Sequence, residues 1–207
     1  MYIPESFRIS DLETLHSFID QHSFGIIVSE REGNLLASHV PFLLNKDQGV
    51  LGCLRSHMAI KNDHWKFFEK ACEVLIIFSG PHAYISPSWY EKKPAVPTWN
   101  YTAVHVKAKA SIVSSDVLDH DLNELVKKYD PVLSGDHTMI PDDFKERLMQ
   151  AIVGVQFEIT DIEGKYKLGQ NRSANDQEGI IAGLKAQPDV DSHLLAKFTE
   201  EYTKKGE

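Results

Sequence analysis

Three clusters of side chains in this sequence could carry chemistry. The first is Arg55, Ser56 and His57, followed closely by Lys61 and Asn62. If a strand ends near Leu54-Arg55-Ser56 and a helix begins at Met58, the free amides of the first helical turn form an anion site. Arg55 or Lys61 would then supply charge, and His57 and Asn62 would donate hydrogen bonds. A plainer reading stays open, in which Ser56 caps the helix and His57 faces water. The second cluster is Trp99-Asn100-Tyr101, which joins stacking surface to an amide that can both donate and accept. With Trp89 and Tyr90, these aromatics would serve equally well as core or dimer packing. The third cluster is Lys165, Lys167, Gln170, Asn171 and Arg172, the dense polar-cationic patch of the C-terminal third. Read alone it is a solvated surface.

Other chemistries lack their motifs. There is no GxGxxG or GxxxxGK[ST] loop for a nucleotide, no GxSxG nucleophile elbow and no HExxH. The ten histidines are irregularly spaced and suggest no metal site. His82 and His105 fall in or beside strands, where structural hydrogen bonding is the expectation, and no catalytic residue is assigned. Cys53 and Cys72 form no CxxC and read as buried, reduced thiols.

The elements that must hold these clusters follow from the apolar pattern. Ser10-Asp11 before Leu12, Leu15, Phe18 and Ile19 marks a capped helix. Strands are expected at 24–28, 35–44, 50–54, 73–78, 82–86, 103–113 and 154–160, with Pro41 placing the second at an edge or a break. Helices are expected at 58–70, 116–129 and 142–151, and again from 174 onward with a break at Pro188. Strands that follow one another without regular helical crossovers favour an antiparallel barrel with helices outside it. The fold class is therefore β-rich α+β. Residues 1–172 read as a barrel domain, and 173–207 as a helical C-terminal segment packed on the same domain.

Bulk properties narrow the partners. The 207 residues carry a net charge of −8, whereas a domain that grips DNA phosphates usually presents a basic face. The start, Met1-Tyr2-Ile3-Pro4-Glu5, is not a signal peptide. No apolar run approaches the roughly 20 residues of a membrane span. A cytoplasmic protein with no membrane partner is expected.

Four segments carry a family resemblance. They are Met1-Tyr2-Ile3-Pro4 with Phe7; His57-Met58-Ala59 through Asn62 with Trp65; Phe78-Ser79-Gly80-Pro81-His82-Ala83-Tyr84-Ile85-Ser86-Pro87-Ser88-Trp89-Tyr90, continuing to Val96-Pro97-Thr98-Trp99-Asn100-Tyr101 and Val104-His105-Val106; and Gly164-Lys165-Tyr166-Lys167-Leu168 with Gln170-Asn171-Arg172. Together they resemble the PaiB family of bacterial negative transcriptional regulators, from residue 1 to about 185. The resemblance implies a split β-barrel related to pyridoxamine-phosphate oxidase-type flavoproteins, a homodimer, and FMN bound at the subunit interface. It also implies repression of extracellular protease synthesis and sporulation. On this reading His57 and Asn62 donate to the FMN phosphate, Arg55 or Lys61 supplies charge, and Ser56 lies beside them. Trp99, Asn100 and Tyr101 meet the ring, while Lys167, Gln170, Asn171 and Arg172 reach the cofactor from the partner subunit. Two departures from the family pattern stand out: Ala59-Ile60-Lys61-Asn62 replaces Ala-Arg-Ala-Asn, and Leu168-Gly169-Gln170-Asn171 replaces Leu-Ser-Gln-Asn.

The function expected is regulation of transcription, through DNA directly or through a partner regulator, with direct DNA contact disfavoured by the net charge. The alternative is an FMN-dependent oxidoreductase, a flavin reductase or small-molecule oxidase, because a flavin carries its own redox chemistry. A third reading is a fold relic that binds no cofactor and acts through contacts alone.

Overall fold

The computed structural model describes residues 1–133 and 138–205. In chain order the elements are β1 (Arg8–Ile9), α1 (Leu12–Gln21), β2 (Phe24–Arg31), β3 (Asn34–Pro41), β4 (Leu43–Asn45), β5 (Cys53–Ala59), β6 (Cys72–Ile85), β7 (Thr98–Ile112), α2 (Ser115–Tyr129), α3 (Asp142–Met149), β8 (Ile152–Lys167), α4 (Ala174–Lys185) and α5 (Val190–Lys205). Short 3-10 turns occupy Glu5–Phe7, Asp63–Phe68 and Pro87–Trp89. The sheet order is β3-β2-β6-β7-β8-β5-β4, and β1 pairs with β8.

Local sequence explains several boundaries. The Asp11 carboxylate caps α1, accepting from the Thr14 amide at 2.8 Å and the Thr14 hydroxyl at 2.6 Å. The β3–β4 break falls directly after Pro41, whose missing N–H cannot continue a ladder. Between them Phe42 turns inward and is fully buried.

Two expectations need correcting. The 73–78 and 82–86 strands are one strand, β6, which runs straight through Gly80-Pro81. Pro81 is tolerated because β2 pairs with β6 only opposite Leu75–Ile77, so the later part of β6 has no β2 partner to satisfy. The helix expected from Met58 is absent. Residues 53–59 continue as β5, paired with β8 from Cys53↔Glu158 to Ala59↔Ile152. Leu54, Ser56 and Met58 alternate into the interior, and this two-residue period with an antiparallel partner overrides the local helical pattern.

The chain divides into two compact units. One holds residues 1–15, 79–104 and 163–207; the other holds 16–78 and 105–162. Each has its own core. In the second unit Phe42 meets Phe78 and Phe157 edge-on at 5.2 and 5.7 Å, and Phe68 meets Phe157 at 5.8 Å. In the first, Tyr166 packs edge-on against Phe198 and Tyr202 of α5, at 5.1 and 5.6 Å. Trp89 lies on α4 where Gly179 and Gly183 clear a flat face. A Cβ would stand 2.1 Å from the Trp89 carbonyl oxygen at Gly179 and 2.2 Å from its indole at Gly183. Cys53 is buried and Cys72 half-buried, and both are free thiols raised by burial. Among the described residues no helix is long and apolar enough to cross a membrane.

Candidate functional site

In the second unit, strand geometry sorts the 55–62 side chains. Arg55 and His57 share one face of β5, and Ser56 points to the other. The Ser56 hydroxyl donates to the Pro41 carbonyl at 2.7 Å. Arg55 Nη2 donates to Gln48 at 3.0 Å, while Nη1 is buried without a hydrogen-bond partner among the described residues. Burial pushes the His57 imidazole below its ordinary range, opposed by nearby Asp121. Lys61 is exposed.

Asn62 serves the fold. Its Oδ1 accepts from the His64 amide at 3.1 Å, capping the Asp63–Phe68 turn, and its Nδ2 donates to Ser38 at 3.1 Å. His64 is completely buried. Its ring nitrogens meet Ser29 Oγ at 2.6 Å and Ser38 Oγ at 2.8 Å. Desolvation holds its pKa below the ordinary histidine value. This Ser29–His64–Ser38–Asn62 network was not anticipated. The only trace of it in the sequence is the short Asn62-Asp63-His64 run, because both serines come from strands far earlier in the chain.

In the first unit the other clusters converge. The start of β7 lies beside the end of β8, and Lys167 Nζ donates to the Trp99 carbonyl at 2.8 Å and to the Thr98 hydroxyl. Lys165 is buried, donates to the Tyr2 carbonyl at 3.1 Å, and lies over the rings of Tyr2 and Tyr101 at 5.6 and 5.0 Å. The Arg172 guanidinium stacks over Tyr90 at 4.5 Å. Cation–π contacts of this kind hold a charge without neutralising it. Burial, then Lys165 and Arg172, hold the Lys167 ammonium below the usual lysine range.

The turn after β8 explains one departure from the family pattern. Gly169 has φ +92°, a left-handed conformation that serine adopts with strain, and a Cβ there would stand 2.8 Å from Ile180. Gln170 closes the turn, its Oε1 accepting from the Leu168 amide at 2.8 Å and its Nε2 donating to the Tyr166 carbonyl at 2.6 Å. Asn171 is exposed. Asn100 is 2% exposed, and its Nδ2 has no hydrogen-bond partner among the described residues. Trp99, by contrast, is 55% exposed, with His82 and Tyr84 each 6.3 Å away, so this aromatic group is surface and not core.

A phosphate-bearing flat heterocycle fits this donor set. Three cations lie together, held by aromatic rings and carbonyls, and a buried amide has a donor to spare. An unpaired buried donor is costly, so Asn100 Nδ2 gains from any acceptor brought to it. In the 55–62 segment, three of the five expected groups, Arg55, Ser56 and Asn62, are already bonded within the fold. Nor does a helix N-terminus add amides there.

Comparison with known proteins bears on the family and the fold. Residues 1–161 match the family described as "Putative FMN-binding domain". The protease synthase and sporulation protein PAI 2 of Bacillus subtilis is 35% identical over 209 residues, covering 99% of each chain. An uncharacterized protein of Emericella nidulans is 28% identical over 226 residues, covering 89% of this chain and 90% of its own. Among solved structures, the FAD and heme binding protein of Mycobacterium smegmatis superposes with a TM-score of 0.61 at 13% identity, covering 85% of this chain and 80% of its own. The flavocytochrome Anf3 of Azotobacter vinelandii gives a TM-score of 0.57 at 13% identity, covering 77% and 69%. At such identities these structures speak for the fold alone, which is the β-rich split-barrel class expected from the sequence. With the family match and the end-to-end kinship taken together, the chain belongs to the PaiB family of FMN-binding-domain proteins.

Proposed function

We propose that this chain is a PaiB-like transcriptional regulator, a homodimeric FMN-binding split barrel that restrains protease synthesis and sporulation. The observation that carries this reading is collinearity with the Bacillus subtilis protein over 99% of both chains. The cation cluster supports the cofactor. Bound FMN supplies a phosphate dianion and a redox-active ring. Lys165, Lys167 and Arg172 would neutralise the phosphate, and Asn100 would donate to an acceptor of the cofactor.

Repression through a partner regulator is favoured over direct DNA contact. The net charge is −8, and α5 carries Asp191, Glu200 and Glu201 among its lysines, so it offers no basic stripe. The exposed Trp99, Tyr84 and His82 are suited to an interface with a second copy.

The test begins with protein purified in excess FMN and then desalted. Retained flavin absorbance and a mass twice that of the monomer are expected, together with raised protease expression when the gene is deleted from its host. A colourless monomer would overturn the cofactor and dimer parts of the reading, and unchanged protease expression its regulatory part. Flavin-dependent oxidation of NADH at an enzymatic rate would replace it with an oxidoreductase.

A further inference from the structure

We infer that Lys167 is a carbon dioxide acceptor: its Nζ takes up CO2 as a carbamate, whose negative charge is held by Lys165 and Arg172. This goes beyond the flavin reading, because it concerns an amine of the protein itself and holds whether or not FMN binds. Every group involved lies in the first unit.

The hydrogen bonds of Lys167 suit an amine as well as an ammonium. An ammonium carries three donors. Among the described residues Lys167 Nζ meets two acceptors, the Trp99 carbonyl at 2.8 Å and the Thr98 hydroxyl. A neutral amine has two hydrogens for these two acceptors, and its lone pair then takes the third position. Lys167 is half-buried, so a solute as small as CO2 can reach it.

The charges around it favour first the amine and then the carbamate. Lys165 precedes Lys167 by two residues on β8, on the same face and roughly 7 Å along the strand. Lys165 is held by the Tyr2 carbonyl and the rings of Tyr2 and Tyr101, and Arg172 by the ring of Tyr90. Among the described residues no carboxylate pairs with any of the three cations. Glu163, earlier on β8, is engaged by the Met1 ammonium at 2.6 Å. Burial, then Lys165 and Arg172, depress the Lys167 ammonium. Desolvation beside a second cation is one of the ways a lysine becomes a nucleophile.

In the reaction the Nζ lone pair attacks the carbon of CO2. The C–N bond forms, one C=O electron pair moves onto oxygen, and an N–H proton passes to water. The product is an anion beside two cations that have no carboxylate of their own, so repulsion is replaced by attraction. An aldehyde would be a poorer match, since its iminium restores the positive charge. The remaining N–H still serves the Trp99 carbonyl, and the Thr98 hydroxyl turns from acceptor to donor toward the new carboxylate. Where the cluster also holds FMN, the carbamate opposes its phosphate; that consequence alone rests on the cofactor reading.

The full-length protein, free of flavin, is equilibrated at neutral pH with carbon-13-labelled bicarbonate and followed by carbon NMR. A carbamate resonance separate from bicarbonate and CO2 is expected. It should be lost in Lys167→Arg and reduced at least about threefold in Arg172→Gln, which removes one of the two stabilising cations. Alkylation with triethyloxonium traps the carbamate as an ester, and peptide mass spectrometry is expected to find that label on Lys167. This second measurement uses the unsubstituted protein, so it decides the matter even if Lys167→Arg does not fold. The proposal is overturned if no carbamate resonance forms, or if the trapped label lies only on other amines. It is equally overturned if folded Lys167→Arg keeps the signal, or if folded Arg172→Gln leaves it undiminished.

Discussion

Residues 55–62 and the pair of segments 98–101 and 165–172 look alike in composition, each mixing cations, amides and aromatic neighbours. The fold treats them in opposite ways. In the first stretch the hydrogen-bonding capacity turns inward: Ser56 is bonded to Pro41, and Asn62 to Ser38 and the His64 amide. In the second, Lys165 and Arg172 rest on tyrosine rings and Lys167 on backbone and hydroxyl oxygens. Polar residues that satisfy one another stabilise a fold and have little left for a ligand. Cations held by π faces and carbonyls keep their charge available.

That contrast can be broken by substitution, starting with the largest effect. His64→Ala removes the partner of two buried serine hydroxyls and leaves a cavity, at an expected cost of about 3 kcal/mol. Urea denaturation measures it, and a loss too small to detect would show that the Asn62–His64 network is not structural. Gly179→Ala drives a Cβ against the Trp89 backbone and should cost about 2 kcal/mol by the same measurement. Lys167→Gln and Arg172→Gln should each weaken FMN binding by about tenfold, with stability changed by less than about 0.5 kcal/mol. If either variant instead lowers stability by more than about 1 kcal/mol while leaving FMN affinity unchanged, the second cluster is structural after all.

The pH dependence sharpens the comparison in a smaller way. Burial holds the His22, His57 and His64 imidazoles below the ordinary value of 6.5. As pH falls through 6.5 the unfolded chain takes up protons first, so stability is intact above that pH and drains away below it, through the lowered folded values. Melting temperature recorded from pH 8 to 5 should fall on the acid side, and His64→Phe should flatten part of that fall. The smallest change is expected from Lys61→Gln: an exposed side chain, within about 0.5 kcal/mol in stability. A larger loss of flavin from Lys61→Gln than from Lys167→Gln would reverse the ranking of the two regions.

Much of this architecture is visible in local pattern. The Asp11 cap, the Pro41 break, helices α2 and α3 and the interruption near Pro188 all follow from residue type and period. The clusters were visible too, because cations, amides and tryptophans are conspicuous in an acidic chain. The helix expected at Met58 failed because a segment mixing Met58, Ile60 and Trp65 with charges satisfies either period, and pairing with β8 decided between them. The full lengths of β6 and β8 were likewise hidden. Gly80-Pro81 looks like punctuation, and its tolerance depends on where β2 stops pairing.

Residue order alone was enough to establish family, fold class and the inventory of groups that could hold an anion. Which of those groups remain available was decided only by long-range packing. A hydroxyl or amide is free or consumed according to what stands about 3 Å from it. For Ser56 and Asn62 that neighbour comes from β3, more than a dozen residues away in the chain.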